Sequence, residues 1–274
     1  MQHLIDYINE AFNYSKNGDE FYTRLQDIEK ELSNYNFSDK KVYCNCDNPK
    51  FSNFWKYFHD NFDKLKLKQL DATYYDDKNP LHYIYDGDEV KTVPIKSGRF
   101  QDNVDILKQC DIVVTNPPYS DNMPIELTEL CLNNHKQLIF VGPLHYIMHK
   151  TTFDWFKANK IHAGYTRIGT FNTPSGQQKN APSAWWTTFD VEHPLLKTGK
   201  KFEGDDKYKH VDAYDAIVVS NVKDIPDNYY GTIATSIAFI TKVNVKQFDV
   251  IKYDMNCKVD GKRIMTKLIV KRNK

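Results

Sequence analysis

The sequence predicts an α/β fold with a mostly parallel central sheet and a smaller C-terminal extension. Short apolar strands alternate with helical patterns through residue 142, which is typical of layered folds with parallel strands. Turn-rich segments at 44–49 and 116–119 each follow one of these strands. Ligands of such sheets bind outside the carboxyl ends of the strands, so we expect both turns at one site. We place a main domain at 1–195 and the extension at 196–274.

The elements follow from apolar spacing and turn residues. Helical spacing predicts two N-terminal helices, one carrying Leu4, Ile8 and Ala11 and one carrying Leu25, Ile28 and Leu32. Ser52 has the residue type of an N-cap for a helix with the apolar face Phe54, Trp55, Phe58 and Phe62. Strands are predicted at 41–44, 68–75, 111–115 and 137–142, helices at 104–109 and 125–132, and an irregular or hairpin insert at 76–98. Further β-rich segments lie at 164–171, 184–189, 216–220 and 233–240.

Composition indicates an ordinary globular protein of 274 residues, 41% hydrophobic and 27% charged. The formal net charge of +1 does not by itself indicate a polyanionic partner. No apolar stretch approaches the roughly 18 residues that a membrane span needs. The five cysteines, an odd number, favour a reduced, cytoplasmic protein, and we expect a monomer.

Basic residues are concentrated at 258–274, which carry seven Lys or Arg against the single acid Asp260. Such a segment is either a solvated, frayed terminus or a strand that contacts phosphates. Its charges alternate with Ile264, Met265 and three further apolar residues at 268–270. This pattern favours a strand or hairpin with one buried face.

The segment Asn116-Pro117-Pro118-Tyr119 directly follows an apolar strand and suits the chemistry of an exocyclic amine. The amide oxygen of Asn116 and the carbonyl oxygen of Pro117 can each accept a hydrogen bond from one N–H group of the amine. Two prolines fix φ and add no competing N–H donors, and Tyr119 offers a face for a flipped base. The alternative is a plain turn at a strand end.

Eight motifs stand out along the chain: DEFYT at 19–23, DIEKEL at 27–32, VYCNCDNP at 42–49, SNF at 52–54, DIVVTNPPY at 111–119, NAPSAWWT at 180–187, YYG at 229–231 and GKR at 261–263. On these motifs the chain resembles the EcoRI-type adenine-specific DNA methyltransferases from about residue 19 to its C-terminus. The resemblance implies a Rossmann-like methyltransferase fold, S-adenosylmethionine as methyl donor and double-stranded DNA as substrate. Catalysis then falls to Asn116, Pro117, Pro118 and Tyr119, and Asn116 also lies against the cofactor.

The turn after the first strand reads Cys44-Asn45-Cys46-Asp47 where related folds often carry glycines. In the family that the chain resembles this is the cofactor turn, with Asn45 and Asp47 for the ammonium or ribose hydroxyls. Small Cys side chains such as Cys44 permit close packing. The alternative is half of a zinc site, but structural zinc needs four ligands and the other three cysteines are solitary. We expect no metal.

Further cofactor contacts follow from the resemblance. Tyr22 and Thr23 match an N-terminal motif in which Thr23 binds the methionine carboxylate and an aromatic ring covers the ligand. An aromatic staple before a helix is the alternative. For the ribose diol Asp71, Thr73 and Asp76 remain equal candidates.

One position departs from the common pattern of these enzymes. Arg99 stands where an acid usually contacts the cofactor adenine. Either Asp102 takes this role or backbone contacts suffice, with Phe100 packed against the adenine. At least one of Trp185 and Trp186 is expected in the core, while the other is a candidate for the base pocket. The polar segment 172–182 is expected to be a DNA-contacting loop.

The sequence therefore predicts a DNA adenine-N6 methyltransferase that acts on a flipped-out base. Two alternatives stay open at this point. One is methylation of another amine, in RNA adenine, cytosine N4 or protein glutamine. The other is a catalytically silent DNA-binding relative, which the Arg99 departure would fit.

Overall fold

The computed structural model describes residues 22–74, 78–118, 122–173 and 176–274. Two units are distinguished. The first comprises the described residues up to Thr152 together with Asn159–Asp190, and the second comprises Phe153–Ala158 and Val191–Lys274. The predicted helix with Leu4, Ile8 and Ala11 lies outside the described residues, as do Asp76 and Tyr119.

The first unit is a mixed α/β structure. Its helices are α1 (Leu25–Leu32), α2 (Asn53–Asp60), α3 (Phe62–Leu65), α4 (Val104–Gln109) and α5 (Met123–Asn133). Its strands are β1 (Tyr22–Thr23), β2 (Lys41–Cys44), β3 (Gln69–Ala72), β4 (Leu81–Tyr85), β5 (Val90–Pro94), β6 (Ile112–Thr115), β7 (Gln137–Pro143), β8 (His162–Asn172) and β9 (Gln178–Thr187). The division between the units falls within α6 (Lys150–Lys157). The predicted strands and helices that fall among the described residues of this region are confirmed, and the predicted insert contains the hairpin of β4 and β5.

Nine strands form one sheet among the described residues, in the order β1-β8-β9-β7-β6-β2-β3-β4-β5. Only the central pairs β7–β6, β6–β2 and β2–β3 are parallel, and the five outer pairs are antiparallel. The prediction of a mostly parallel sheet therefore holds for the centre alone. The connection from Tyr85 to Val90 is far too short for a parallel crossover, which takes a dozen or more residues.

The core lies between the sheet and the helices α1 and α2. Alternate side chains of the parallel strands, such as Val42, Leu70 and Ile112, are fully or nearly fully buried in it. Ser52 caps α2 as predicted, because its hydroxyl accepts hydrogen bonds from the N–H groups of Phe54 and Trp55. This cap fixes where α2 begins relative to the end of β2.

Both tryptophans of β9 are core residues. Trp185 is 1% exposed and packs edge-on against Phe54, whereas Trp186 is fully buried against Tyr146. Neighbouring residues of a strand point to opposite faces, so the pair fills both sides of the sheet. The second tryptophan is therefore not free to line an open base pocket. The predicted loop at 172–182 is likewise wrong in extent, since β9 already begins at Gln178.

A buried carboxylate ties α1 to β8. Glu31 is fully buried and accepts hydrogen bonds from the N–H of Tyr165, the N–H and hydroxyl of Thr166, and the hydroxyl of Tyr35 at 2.6–2.9 Å. The pairing of β8 with β9 is irregular between Ala163 and Arg167. Glu31 thus satisfies backbone donors that the interrupted ladder leaves unpaired.

The second unit contains a five-stranded sheet and a hairpin. The sheet order is β10-β11-β12-β16-β13, from strands β10 (Lys209–His210), β11 (Ile217–Val219), β12 (Thr232–Ser236), β13 (Phe248–Asp254) and β16 (Lys267–Arg272). The hairpin pairs β14 (Lys258–Val259) with β15 (Lys262–Arg263). The basic segment is therefore built of strands, as the sequence predicts.

Two of its seven basic residues do not face solvent. Lys267 and Arg272 are each 6% exposed, because β16 is an interior strand of the sheet. Arg272 stacks on Phe248 and donates a hydrogen bond to the Pro226 carbonyl. The exposed basic residues of the segment are Lys258, Lys262, Arg263, Lys271 and Lys274.

We expect Glu31→Ala to lower the free energy of unfolding by about 3 kcal/mol or more. The change removes the acceptor of four hydrogen bonds and leaves buried donors unpaired, at about 1–3 kcal/mol each. Urea unfolding of both proteins measures the difference. Glu29→Ala, an exposed position of the same helix, is the matched control and should change stability by less than about 0.5 kcal/mol. Equal effects of the two variants would contradict this role.

Candidate active site

The candidate site is built at the carboxyl ends of three neighbouring strands. β6, β2 and β3 are adjacent and parallel, so the segments that follow them emerge at one edge of the sheet. These segments are 45–47 after β2, Thr73 after β3, and 116–118 after β6. The two turns that the sequence singles out therefore lie side by side.

Backbone hydrogen bonds join the turn after β2 to the end of β3. The N–H of Thr73 donates to the Cys44 carbonyl at 3.2 Å, and the N–H of Asp47 donates to the Thr73 carbonyl at 3.1 Å. The Thr73 hydroxyl, fully buried, lies 2.6 Å from the Tyr43 hydroxyl and 3.3 Å from the Asn45 carbonyl. Thr73 thus braces the turn from inside.

The Asp47 carboxylate joins the same turn to α2 and β6. Ser52 Oγ donates to its Oδ1 and Thr115 Oγ1 donates to its Oδ2, both at 2.7 Å. The backbone N–H of Asn116 is a third donor. Burial raises the pKa of Asp47 to about 6, although all three hydrogen bonds favour the charged form. At neutral pH the group is therefore a buried carboxylate with three internal donors.

Two polar side chains, that of Asn45 in this turn and that of Thr23 on β1, are buried without a hydrogen-bond partner among the described residues. Asn45 is 1% exposed and Thr23 is 3% exposed. Among the residues that the structure describes, neither the Asn45 amide nor the Thr23 hydroxyl has a hydrogen-bond partner. Thr23 is connected to the turn through the start of α2. Its carbonyl accepts a hydrogen bond from the side chain of Asn53, the first residue of α2, and the preceding Ser52 binds Asp47. Such groups are costly unless a ligand or water satisfies them.

The remaining candidates occupy different environments. Cys44 is fully buried in the core beneath the turn, where burial raises the pKa of its thiol. Phe100 is buried in a short 3₁₀ turn, while Asp102 and Arg99 are exposed. The amide of Asn103 closes this turn by donating to the carbonyls of Ser97 and Arg99.

Asp71, one of the ribose candidates, is engaged within the sheet. It is 3% exposed and accepts hydrogen bonds from Gln69 and from His82 Nε2 on β4. Asp76 lies outside the described residues. Tyr22 is half-buried on β1, beside Thr23.

Comparison with known proteins gives the family. The model of the family described as adenine-specific methyltransferase EcoRI matches residues 8–95 and 81–274. The chain belongs to this family. The prediction of an adenine-specific DNA methyltransferase is thereby confirmed.

Curated relatives agree over nearly their whole length. The type II methyltransferase M.EcoRI of Escherichia coli is 34% identical over 92% of this chain and 93% of that protein. M.MpnI of Mycoplasma pneumoniae is 33% identical over 89% and 85%, and M.MgeORF184P of Mycoplasma genitalium is 31% identical over 88% and 85%. No solved structure gives a significant match.

Sequence reasoning missed two residues of this EcoRI-family site. These are Thr115 and Ser52, each of which donates a hydrogen bond to Asp47. A signal for Thr115 exists in the sequence. It is the one hydroxyl in the buried run Ile-Val-Val-Thr, directly before Asn116, and a buried hydroxyl needs a partner. The bond between Ser52 and Asp47 has no comparable signal, since the capping role alone accounts for a serine there.

No helix in the described part of the chain is long and apolar enough to cross a membrane. Within the same residues no group of three or more His, Cys, Asp or Glu is arranged to hold a metal ion.

We expect the free energy of unfolding of the wild-type chain to fall relative to that of Asp47→Asn as pH rises from about 4 to about 6. The carboxyl holds its proton more tightly when folded, at a pKa of about 6, than at its ordinary value of 3.8. The stabilisation by the protonated form is thus complete below 3.8 and is lost as pH rises through about 6. The full change approaches about 3 kcal/mol, at about 1.4 kcal/mol per pH unit.

Denaturant unfolding of both proteins between pH 4 and pH 7.5 measures this difference. Asp63→Asn, at an exposed position of α3, is the control for a change of one charge. A difference between wild type and Asp47→Asn that stays constant over this range would contradict the burial of an ionising Asp47.

Proposed function

We propose that the chain transfers a methyl group from S-adenosylmethionine to N6 of an adenine flipped out of duplex DNA. One observation carries the proposal. In a member of an adenine-specific family, Asn116 and Pro117 stand at the same sheet edge as a buried polar turn whose Asn45 amide is without a partner among the described residues. An amine-binding segment and a cofactor-binding turn are the two halves that methyl transfer requires.

Asn116 and Pro117 act on the amine. The Asn116 side-chain oxygen and the Pro117 carbonyl accept hydrogen bonds from the two N–H groups of the amine. This arrangement turns the nitrogen lone pair out of conjugation with the ring. Two prolines keep these acceptors rigid, and Tyr119 stacks the flipped base. The methylated nitrogen is a strong acid and loses its proton to water, so no strong base is needed. Orientation supplies most of the acceleration.

The residues at the sheet edge fit the cofactor. When bound, S-adenosylmethionine supplies an electrophilic methyl group on a sulfonium. Asn45 would hold its ammonium or ribose hydroxyls and Thr23 its carboxylate, which satisfies both buried side chains. Tyr22 would cover the ligand, and Phe100 would pack on its adenine. Cys44 and Thr73 would support the turn from below.

The second unit supplies a basic surface for DNA. We assign phosphate contacts to the hairpin of β14 and β15, where Lys258, Lys262 and Arg263 are exposed. Arg263 also donates to the Met255 carbonyl, so part of its role is within the fold. The chain would act as a monomer in the cytoplasm, where its five cysteines, all free in the structure, stay reduced.

Transfer of labelled methyl groups tests the function directly. Purified protein with labelled S-adenosylmethionine is supplied with plasmid duplex DNA, structured RNA or unrelated protein, and the modified DNA is digested to nucleosides. We expect label in DNA alone, as N6-methyladenine. Label in RNA, in N4-methylcytosine or in glutamine would replace this proposal with one of the other amine substrates, and no label would indicate a silent DNA-binding protein.

We expect Asn116→Ala to reduce methyl transfer by two or more orders of magnitude. The change removes one of two groups that orient the amine, and one such polarising group is typically worth about this much. Single-turnover transfer to duplex DNA measures the rate, and calorimetric titration with S-adenosylmethionine measures binding, which should weaken far less. Turnover near the wild-type rate would overturn the role of Asn116.

Replacing Lys258 and Lys262 with Ala should lower the salt slope of DNA binding by about two, because each phosphate contact contributes about one. Affinity should fall similarly for all DNA sequences, and affinity for S-adenosylmethionine should not change. Binding is measured by fluorescence anisotropy between 50 and 300 mM salt. The double variant Lys30→Ala with Lys64→Ala, at exposed helix positions, removes the same charge elsewhere. If both double variants change the slope equally, the hairpin has no specific role.

A further inference from the structure

Three donors from two different segments converge on Asp47. Ser52 Oγ binds one carboxylate oxygen from the N-cap position of α2, and Thr115 Oγ1 binds the other from the last residue of β6, both at 2.7 Å. The Asn116 N–H adds a third hydrogen bond. A carboxylate has about four acceptor positions, so most of its capacity is used inside the fold. With 7% of its surface exposed, Asp47 has little left to offer a ligand.

We propose that Asp47 is a positioning residue that acts through Asn116, and that it does not bind the cofactor. This inference rests on the proposed function, because it concerns the residue that orients the target amine. It also replaces the sequence-based assignment of Asp47 to the ammonium or ribose.

Position in the chain explains why Asp47 can control Asn116. Asn116 is the first residue after β6, directly beyond the pairing of Thr115 with Phe140 that ends this strand's ladder with β7. The Asp47 carboxylate holds both the residue before it, through the Thr115 hydroxyl, and its own N–H. Two adjacent anchor points fix the direction of the peptide plane and hence of the Cα–Cβ bond. The Asn116 amide therefore leaves the backbone in one direction.

The neighbouring Asn45 takes the complementary role. Its side chain is more deeply buried than that of Asp47, at 1% exposure, yet neither amide atom has a partner among the described residues. Within a turn of three residues, one polar side chain is thus consumed by the fold and the other is left for a ligand. The two residues should consequently affect different kinetic constants.

Orientation effects predict the size of the change. A misplacement of about 1 Å in a reacting group can cost about 100-fold in rate. In Asp47→Asn the side chain keeps its size, but its amide group presents N–H donors to one of the three internal donors. We expect the single-turnover rate at saturating S-adenosylmethionine to fall about 10-fold to 100-fold, while the dissociation constant for the cofactor stays within about threefold.

Asn45→Ala is the matched control in the same turn. It should raise the dissociation constant for S-adenosylmethionine about tenfold, because it removes a side chain that we propose contacts the cofactor. If Asp47→Asn raises this dissociation constant to the same extent, Asp47 is a cofactor ligand and the inference is wrong. If Asp47→Asn changes neither constant, Asp47 has no role in positioning.

A double-variant cycle separates positioning from a general loss of structure. In Asn116→Ala the amide that Asp47 orients is absent. Asp47→Asn should therefore lower the rate by threefold or less in that background. Equal effects in both backgrounds would show that Asp47 acts independently of Asn116. Should Asp47→Asn fail to fold, the Thr115 hydroxyl provides the same test. Thr115→Val should slow transfer without weakening cofactor binding, and Thr115→Ser should recover most of the rate; equal rates for the Val and Ser variants would overturn the inference.

The proposed function is judged separately, from the wild-type chain. Absence of N6-methyladenine with wild-type protein would remove the proposed function. Activity of the wild type with an unchanged rate in Asp47→Asn would remove only the positioning role.

Discussion

The Asp47 carboxylate is the interaction on which the rest of the site depends. It joins the turn after β2, the start of α2 and the end of β6 through Ser52, Thr115 and the Asn116 N–H. A buried charge is tolerated only when donors surround it, and removing a partner leaves a charge or a donor unpaired at a cost of several kcal/mol. The three segments can therefore adopt only those relative positions in which all of these hydrogen bonds form.

A second buried carboxylate does for the scaffold what Asp47 does for the site. Glu31 holds α1 against the irregular part of β8, and it leaves no room for a larger neighbour. A Cβ atom at Gly164 would lie 2.1 Å from a Glu31 oxygen and 2.6 Å from the Trp185 Cβ. Glycine is thus required here by close packing and not by backbone conformation. Both carboxylates fix elements that are distant in sequence, which apolar packing alone orients less sharply.

Local patterns in the sequence were sufficient for the central strands, the Ser52 cap and the juxtaposition of 44–49 with 116–119, because each depends on neighbours in the chain or on the general rule for parallel strands. Non-local facts were not accessible. Glu31 sits in a polar helical stretch where an exposed side chain is the default, and only the bulge of β8 explains its burial. Lys267 and Arg272 belong to a basic segment, yet the order of strands puts β16 inside its sheet. The antiparallel flanks likewise follow from short connections whose pairing no periodicity reveals.

The turn after β2 contains no glycine. In the common form of this fold, small residues let backbone N–H groups approach the ligand. Here the turn reads Cys44-Asn45-Cys46-Asp47, so residues with side chains stand where those glycines would be. Hydrogen bonds to its neighbours hold this turn in place. The Thr73 hydroxyl, after β3, donates to the Asn45 carbonyl, and Asp47 accepts a hydrogen bond from Thr115 of β6. Because that support runs directly into Asn116, the turn after β2 and the segment after β6 are held in place by connected hydrogen bonds.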